Sequence, residues 1–209
     1  RFRPVAKPMP DFAPSRLIAL YSPAPGCGKT TAAGVLRQQG FTPLAFAAPM
    51  RAMLHPLLLQ LGYSEFEANA LLQQRKEELI PSLGVSVRHL LRTLGTEWGR
   101  TCVHPALWLH TMELQLQRHR QVVIDDLRYA NEATLVQRLG GEIWLLRRPG
   151  CEQASSHSSD GDLNGWDGFA ETIVNDGDVT SLGLKLRAAL KALGGRCRAL
   201  RDTSPQRPG

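Results

Sequence analysis

The sequence predicts an α/β domain: a mostly parallel five-stranded sheet flanked by helices, with an added helical region and a short lid. Three observations lead there. Continuously apolar runs ("RLIALYS", "QVVIDD", "EIWLLRR", "ETIVND") alternate with helical stretches, the pattern of strands buried on both faces. The first of these runs leads straight into a glycine-rich turn, "PAPGCGKTT", that opens a helix. A length of 209 residues, 43% hydrophobic and 21% charged, suits one globular domain with excursions.

Taken in order, residues 1–15 hold four prolines and no periodicity and read as an irregular basic arm. "RLIALYS" is a buried strand and "GKTTAAGVLRQQG" a helix closed by Gly40. "FTPLAFAAP" gives a second short strand. "MRAMLHPLLLQLG" gives a helix disturbed by Pro56, and "EFEANALLQQRKEELI" a second, amphipathic helix over 65–80. "SVRHLLRTLGTEWGR" places Val87, Leu90, Leu91 and Leu94 on one helical face. "PALWLHTMELQLQRHR" starts a helix at Pro105 and sets basic residues in its last turn, where they complement the dipole. The strand candidates 121–126, 142–148 and 171–176 follow, the first two separated by the helix "ANEATLVQRLG". The Ser-, Gly- and Asp-rich segment 149–169 reads as a mobile lid. A last helix over 178–194 ends at Gly194-Gly195, before a disordered basic tail over 196–209. The folded core thus spans 16–195, with a helical region at about 49–120.

The net charge of +6 is terminal. Residues 1–16 hold four basic residues against one acid, and residues 185–209 hold seven against one, which leaves the body acidic. That distribution suits solvated arms better than a charged groove. The four cysteines lie far apart with no C-x-x-C pair, as in reduced cytosolic proteins. No apolar run reaches the length of a membrane span, and the N-terminal stretch lacks a signal-peptide core. A cytoplasmic protein is expected, with no membrane partner.

The turn after the first strand approaches the consensus G-x-x-x-x-G-K-[ST] of a phosphate-binding loop, with Pro23 in place of the first glycine. Such a turn aims successive N–H groups at one point, and the helix N-terminus adds its free donors and partial positive charge. Pro25, Gly26, Cys27, Gly28, Lys29, Thr30 and Thr31 form the expected cradle. Lys29 would hold the transferred phosphate, and Thr30 would place its hydroxyl on Mg²⁺. Proline lacks an N–H and fixes φ, so Pro23 is expected to stiffen the entrance and leave the cradle intact. "QVVIDDLR" brings carboxylates to the carboxyl end of a neighbouring strand. Asp125, directly after the apolar run, would order Mg²⁺ and Asp126 would face the acceptor, with the sequence leaving open which of the two meets the metal.

Several blocks, in order, resemble those of the phage-type deoxynucleoside monophosphate kinases: "AFAAPMRAML", "VRHLLRTLGTEWGR", "VVIDDLRYANEA", "HSSD" and "IVNDG". The resemblance spans about residues 16–190, and its most specific blocks are "LGTEWGR" and D-x-R-x-x-N-E-A. It implies a P-loop kinase fold, ATP with Mg²⁺ as donor, and a deoxynucleoside 5'-monophosphate as acceptor. A phage origin, and so the host cytoplasm, follows from the resemblance alone. The departures are Pro23, Arg51 where lysine is frequent, Arg92 where glutamine is common, and Asp160 in place of glutamate.

A monophosphate brings its own nucleophilic oxygen, so the protein must hold two polyanions together and neutralise the charge passing between them. That task suits converging arginines, whose forks match phosphate oxygens. Arg51, Arg88, Arg100, Arg128 and the pair Arg147-Arg148 are the candidates, with Lys29, Asp126, Arg128 and Arg148 assigned to catalysis. Trp98 would either stack on the base or pack in the core. Trp108, Trp144, Phe46 and Tyr129 are expected in the core, and His157 in a solvated loop. Monomer and homodimer both stay open. Two other functions remain. One is a kinase for a hydroxymethyl group of a modified pyrimidine (5-hydroxymethyluracil) in phage DNA, where Asp126 or Asp125 would act as general base. The other is a P-loop NTPase with no small acceptor.

Overall fold

The computed structural model describes residues 13–151, 163 and 165–202, with side chains described through Gly194. The elements run β1 (Arg16–Tyr21), α1 (Lys29–Gln38), β2 (Thr42–Leu44), α2 (Ala48–Gln60), α3 (Glu65–Gln73), β3 (Leu79–Ile80) and β4 (Val85–Ser86). There follow α4 (Val87–Arg92), a π-helix (Thr93–Val103), α5 (Leu107–Leu116), β5 (Gln121–Ile124), α6 (Ala130–Arg138), β6 (Glu142–Arg147), β7 (Glu171–Val174) and α7 (Val179–Asp202). They divide into two compact units, one over Leu44–Arg120 and one formed by Ser15–Pro43 with the chain from Gln121 onward.

The second unit carries a five-stranded sheet in the order β2-β5-β1-β6-β7. β1 pairs in parallel with β5 and β6, and β6 with β7. Side chains alternate between faces along each strand. Ile18, Leu20, Trp144 and Leu146 join the core under α1 and α7. On α7, Leu182, Leu186, Ala189 and Leu193 form the matching buried stripe. Leu17 faces the other way, toward Val136 of α6, across the Cβ-less surface of Gly141. With both faces covered, the strands read as unbroken apolar runs, which is why the sheet was legible in the sequence. Trp144 and Trp108 are core residues, as expected, and so is Phe46; Tyr129 is half-buried.

The Leu44–Arg120 unit packs Leu54 and Leu58 of α2 against Leu71 and Leu72 of α3, Ile80 and Val87. Pro56 sits on the exposed side of α2, and the helix continues through it. Ser64 caps α3 through a reciprocal pair: its backbone N–H donates to Glu67 Oε2 at 2.8 Å, and its Oγ accepts from Glu67 N–H at 3.3 Å.

Three expectations need correction. The helix expected over 65–80 ends at Gln73. The N–H groups of Gln74 and Arg75 both turn onto Ala70 O, and Lys76 O accepts from Arg88 N–H at 2.8 Å. That long-range pairing, with the β3–β4 hairpin beside it, overrides the local amphipathic pattern. α5 starts at Leu107 and stops at Leu116; Arg118 and His119 donate to Gln115 O and Leu116 O in a tight closing turn, so the basic residues lie beyond the helix. α7 runs through Gly194-Gly195 to Asp202, so the tail expected over 196–209 begins as helix. Of the expected lid, 152–162 and 164 lie outside the described residues, as does His157. At its end, Phe169 stacks on Tyr21 at 5.7 Å between ring centroids.

The "LGTEWGR" block lies within the 11-residue π-helix Thr93–Val103, not in a continuation of α4. Its buried glycines explain the departure. A Cβ on Gly95 would lie 2.8 Å from Met50 Sδ, and one on Gly99 would lie 2.5 Å from the Trp108 ring. The Trp108 indole N–H donates to Gly95 O at 2.7 Å. An indole inserted beside two glycines and drawing on a helix carbonyl favours the wider i→i+5 turn.

Candidate active site

The phosphate loop connects β1 to α1. Gly26 and Gly28 take φ of +80° and +100°, a left-handed backbone that suits glycine. Gly28 is the N-cap residue of α1, which has no side-chain cap and no acid in its first turn. The first N–H groups of a helix lack intrahelical acceptors, so an anion is the partner this terminus accepts. Ser22, buried at the loop entrance, donates to Ala24 O at 2.8 Å and accepts from Lys29 Nζ. Pro23 lies inside this entrance turn.

Lys29 is electrostatically unusual. Burial and the Arg128 guanidinium beside it push its pKa below the usual lysine value, against the smaller pull of Cys27, Asp125 and Asp126. Two cations and two carboxylates therefore act on one another at the carboxyl ends of β1 and β5. Such a donor set fits a triphosphate with a divalent cation: an incoming anion would relieve the repulsion between Lys29 and Arg128. Thr30 and Thr31 are exposed on the first turn of α1, and Arg147 and Arg148 are exposed at the end of β6.

The remaining predicted residues belong to the Leu44–Arg120 unit. Arg51 lies in the first half of α2, half-buried, and Met50 beside it meets Gly95 of the π-helix. Trp98 and Arg100 lie on that π-helix. Trp98 is 42% exposed and tilts against Trp108 at 6.4 Å, so it keeps a face in solvent. Arg88 forms an ion pair with Glu77. A cavity of about 330 Å³ opens between Phe46, Pro49 and Ala52 on one wall and Thr111, Met112 and Gln115 on the other. Among the described residues no group of three His, Cys, Asp or Glu side chains could hold a metal, and no helix is long and apolar enough to cross a membrane.

Glu132 was missed as a functional residue. It is 2% exposed, and its Oε2 accepts from the backbone N–H of Arg128 at 2.9 Å and of Tyr129 at 3.2 Å. It thereby sets the backbone from which Arg128 departs toward Lys29. The signal was present in the D-x-R-x-x-N-E-A block, as an acid four residues beyond the arginine at a helix start. Glu132→Ala would strand two part-buried backbone donors, and we expect a loss of about 1–2 kcal/mol in urea unfolding, with a larger loss of turnover than stability alone explains.

A strand–loop–helix cradle with its lysine, strand-end aspartates and an arginine on one parallel sheet defines a P-loop phosphotransferase. The sequence model of the deoxynucleotide monophosphate kinases matches residues 61–186, and the chain belongs to that family. It is 28% identical over 166 residues to the mimivirus protein named "Putative deoxynucleotide monophosphate kinase" (Acanthamoeba polyphaga mimivirus), covering 72% of this chain and 84% of that one. A shorter match, 36% identical over 69 residues, links it to the deoxynucleoside-5'-monophosphate kinase of Escherichia phage T5, over 32% of this chain and 28% of that one. Among solved structures, a dephospho-CoA kinase from Campylobacter jejuni matches with a TM-score of 0.47 and 10% identity, over 85% of this chain and 96% of that one.

Proposed function

We propose that the protein transfers the γ-phosphoryl group of ATP to the phosphate of a deoxynucleoside 5'-monophosphate. The observation that carries this reading is the depressed Lys29 held beside Arg128 at an uncapped helix N-terminus. The loop N–H groups and Lys29 bind the β- and γ-phosphates, and Arg128 faces the charge that develops on the transferring group. Thr30 and Asp125 would hold Mg²⁺, which would supply positive charge to offset that of the phosphates. Asp126 orients the acceptor, and Arg148 closes over the transferring phosphate. No general base is needed, because the acceptor oxygen is already ionised.

On the acceptor side, Arg51, Arg88 and Arg100 supply cations, and Trp98 presents an indole face to a base. The cavity between α2 and α5 has the volume and apolar walls for a nucleobase. Ala52 is exposed on its rim, so Ala52→Phe should fill it without disturbing the core. The expected result is a rise in acceptor KM of about tenfold with KM for ATP unchanged.

Incubation with γ-labelled ATP and Mg²⁺, offering each deoxynucleoside monophosphate and hydroxymethyluracil-containing DNA in parallel, tests the proposal. Label is expected in a nucleoside diphosphate. Label moving only into DNA would transfer the reading to a hydroxymethyl acceptor, and label released only as phosphate would make the protein an NTPase.

A further inference from the structure

Asn175 follows β7 and is buried at 8% exposure, although it is polar. Its backbone N–H donates to Arg147 O at 2.7 Å, which pins it beside the end of β6. Its side-chain amide reaches the phosphate loop, where Nδ2 donates to Cys27 O at 3.0 Å. The contact continues onto the next residue: a Cβ on Gly28 would lie only 2.5 Å from the same nitrogen. The turn that presents Asn175 is itself tied down. Lys185 of α7 donates to Val174 O at 2.8 Å and to Asp176 Oδ1 at 2.5 Å, and Asp178 Oδ1 accepts from Ser181 N–H at 2.8 Å as α7 begins.

We propose that Asn175 is a positioning residue of the phosphoryl-donor site, acting through the peptide between Cys27 and Gly28. That peptide is planar and trans, so its C=O and N–H point in opposite directions. An amide that holds the Cys27 carbonyl on one side therefore turns the Gly28 N–H to the other, into the cradle. Without it the peptide is free to rotate, and an N–H aimed at phosphate becomes one aimed elsewhere. Asn175 donates to the loop and has no part in the transfer itself. The assignment rests on the reading of this loop as the ATP site.

Two variants test it. Asn175→Ala removes the donor. Asn175→Asp keeps the shape, but its ionised oxygen faces the Cys27 carbonyl and cannot donate until it is protonated. In both, Kd and KM for ATP should rise about tenfold at neutral pH, the worth of one well-placed hydrogen bond, with acceptor KM unchanged. Asn175→Asp should regain affinity relative to wild type as pH falls and the carboxyl becomes a donor, whereas Asn175→Ala should not. In nucleotide-free protein, the Gly28 amide resonance should move in both variants. Wild-type ATP affinity in both variants, or equal loss toward ATP and acceptor with no pH recovery in Asn175→Asp, would overturn the assignment. If the wild-type protein moved no label from ATP, the proposed function would fail. The Gly28 resonance, read without nucleotide, would still decide whether Asn175 sets that peptide.

Discussion

Lys29→Ala should lower phosphoryl transfer by at least about 10²–10³-fold while thermal unfolding stays where it was or moves slightly higher. The two halves of this expectation have one cause. Burial and Arg128 push the Lys29 pKa below its unfolded value, so over the interval between the two values the unfolded chain binds more protons than the folded one. Stability at neutral pH therefore carries a cost for this ammonium, and the cost fades as pH rises through the folded pKa. Removing the lysine removes the cost together with the function. Calorimetry beside a turnover assay measures both, and a clear fall in Tm would show that the ammonium holds the fold. The same direction gives a pH signature. On the proposed role of protonated Lys29 in holding triphosphate, ATP affinity should be full below its depressed pKa and decline as pH rises through it, short of the usual lysine range. Lys29→Arg, charged throughout, should lack that decline.

Gly28→Ala is expected to be nearly as damaging, by geometry rather than charge. A φ of +100° is strained for alanine, and its Cβ would meet Asn175 Nδ2 at 2.5 Å. The strain alone costs about 1–3 kcal/mol, and relieving the contact must tilt the Cys27–Gly28 peptide, so ATP affinity should fall more than tenfold. Because the two groups touch, a double-mutant cycle with Asn175→Ala should be non-additive: the second substitution opens the space that the first one needs. Strict additivity in denaturant titrations would mean that the contact is absent in solution.

The sheet and the phosphate loop were legible because their signals are local. Leu17–Tyr21 and Val122–Ile124 are buried without interruption, and the glycines of the turn sit at fixed offsets from Lys29. Elsewhere the deciding partner lay far along the chain. The apolar face Val87, Leu90, Leu91 and Leu94 was read correctly, but the change to a π-helix at Thr93 depends on Trp108 and Met50, which no helical periodicity encodes. β3 and β4 are two residues each, too short for any alternation to show. α7 carries its buried stripe to Leu193, and that packing takes it past Gly194-Gly195, where propensity alone predicts a stop. Glu132 is an acid in the first turn of α6, a commonplace position that carries no signal of its own. Asn175 stood in "IVNDG", a block with little meaning until its amide was found on Cys27.

That amide also bears on when the protein becomes competent. It joins positions 148 residues apart, and β1, which leads into the loop, takes both of its neighbours, β5 and β6, from much later in the chain. During synthesis the glycine-rich sequence would emerge early and wait for nearly all the rest before its backbone could settle. Pairings of such long range are slow to form. Nucleotide binding would then be among the last properties acquired, and a nascent chain carrying the complete motif would remain inert toward the cell's triphosphates until its final strand had docked.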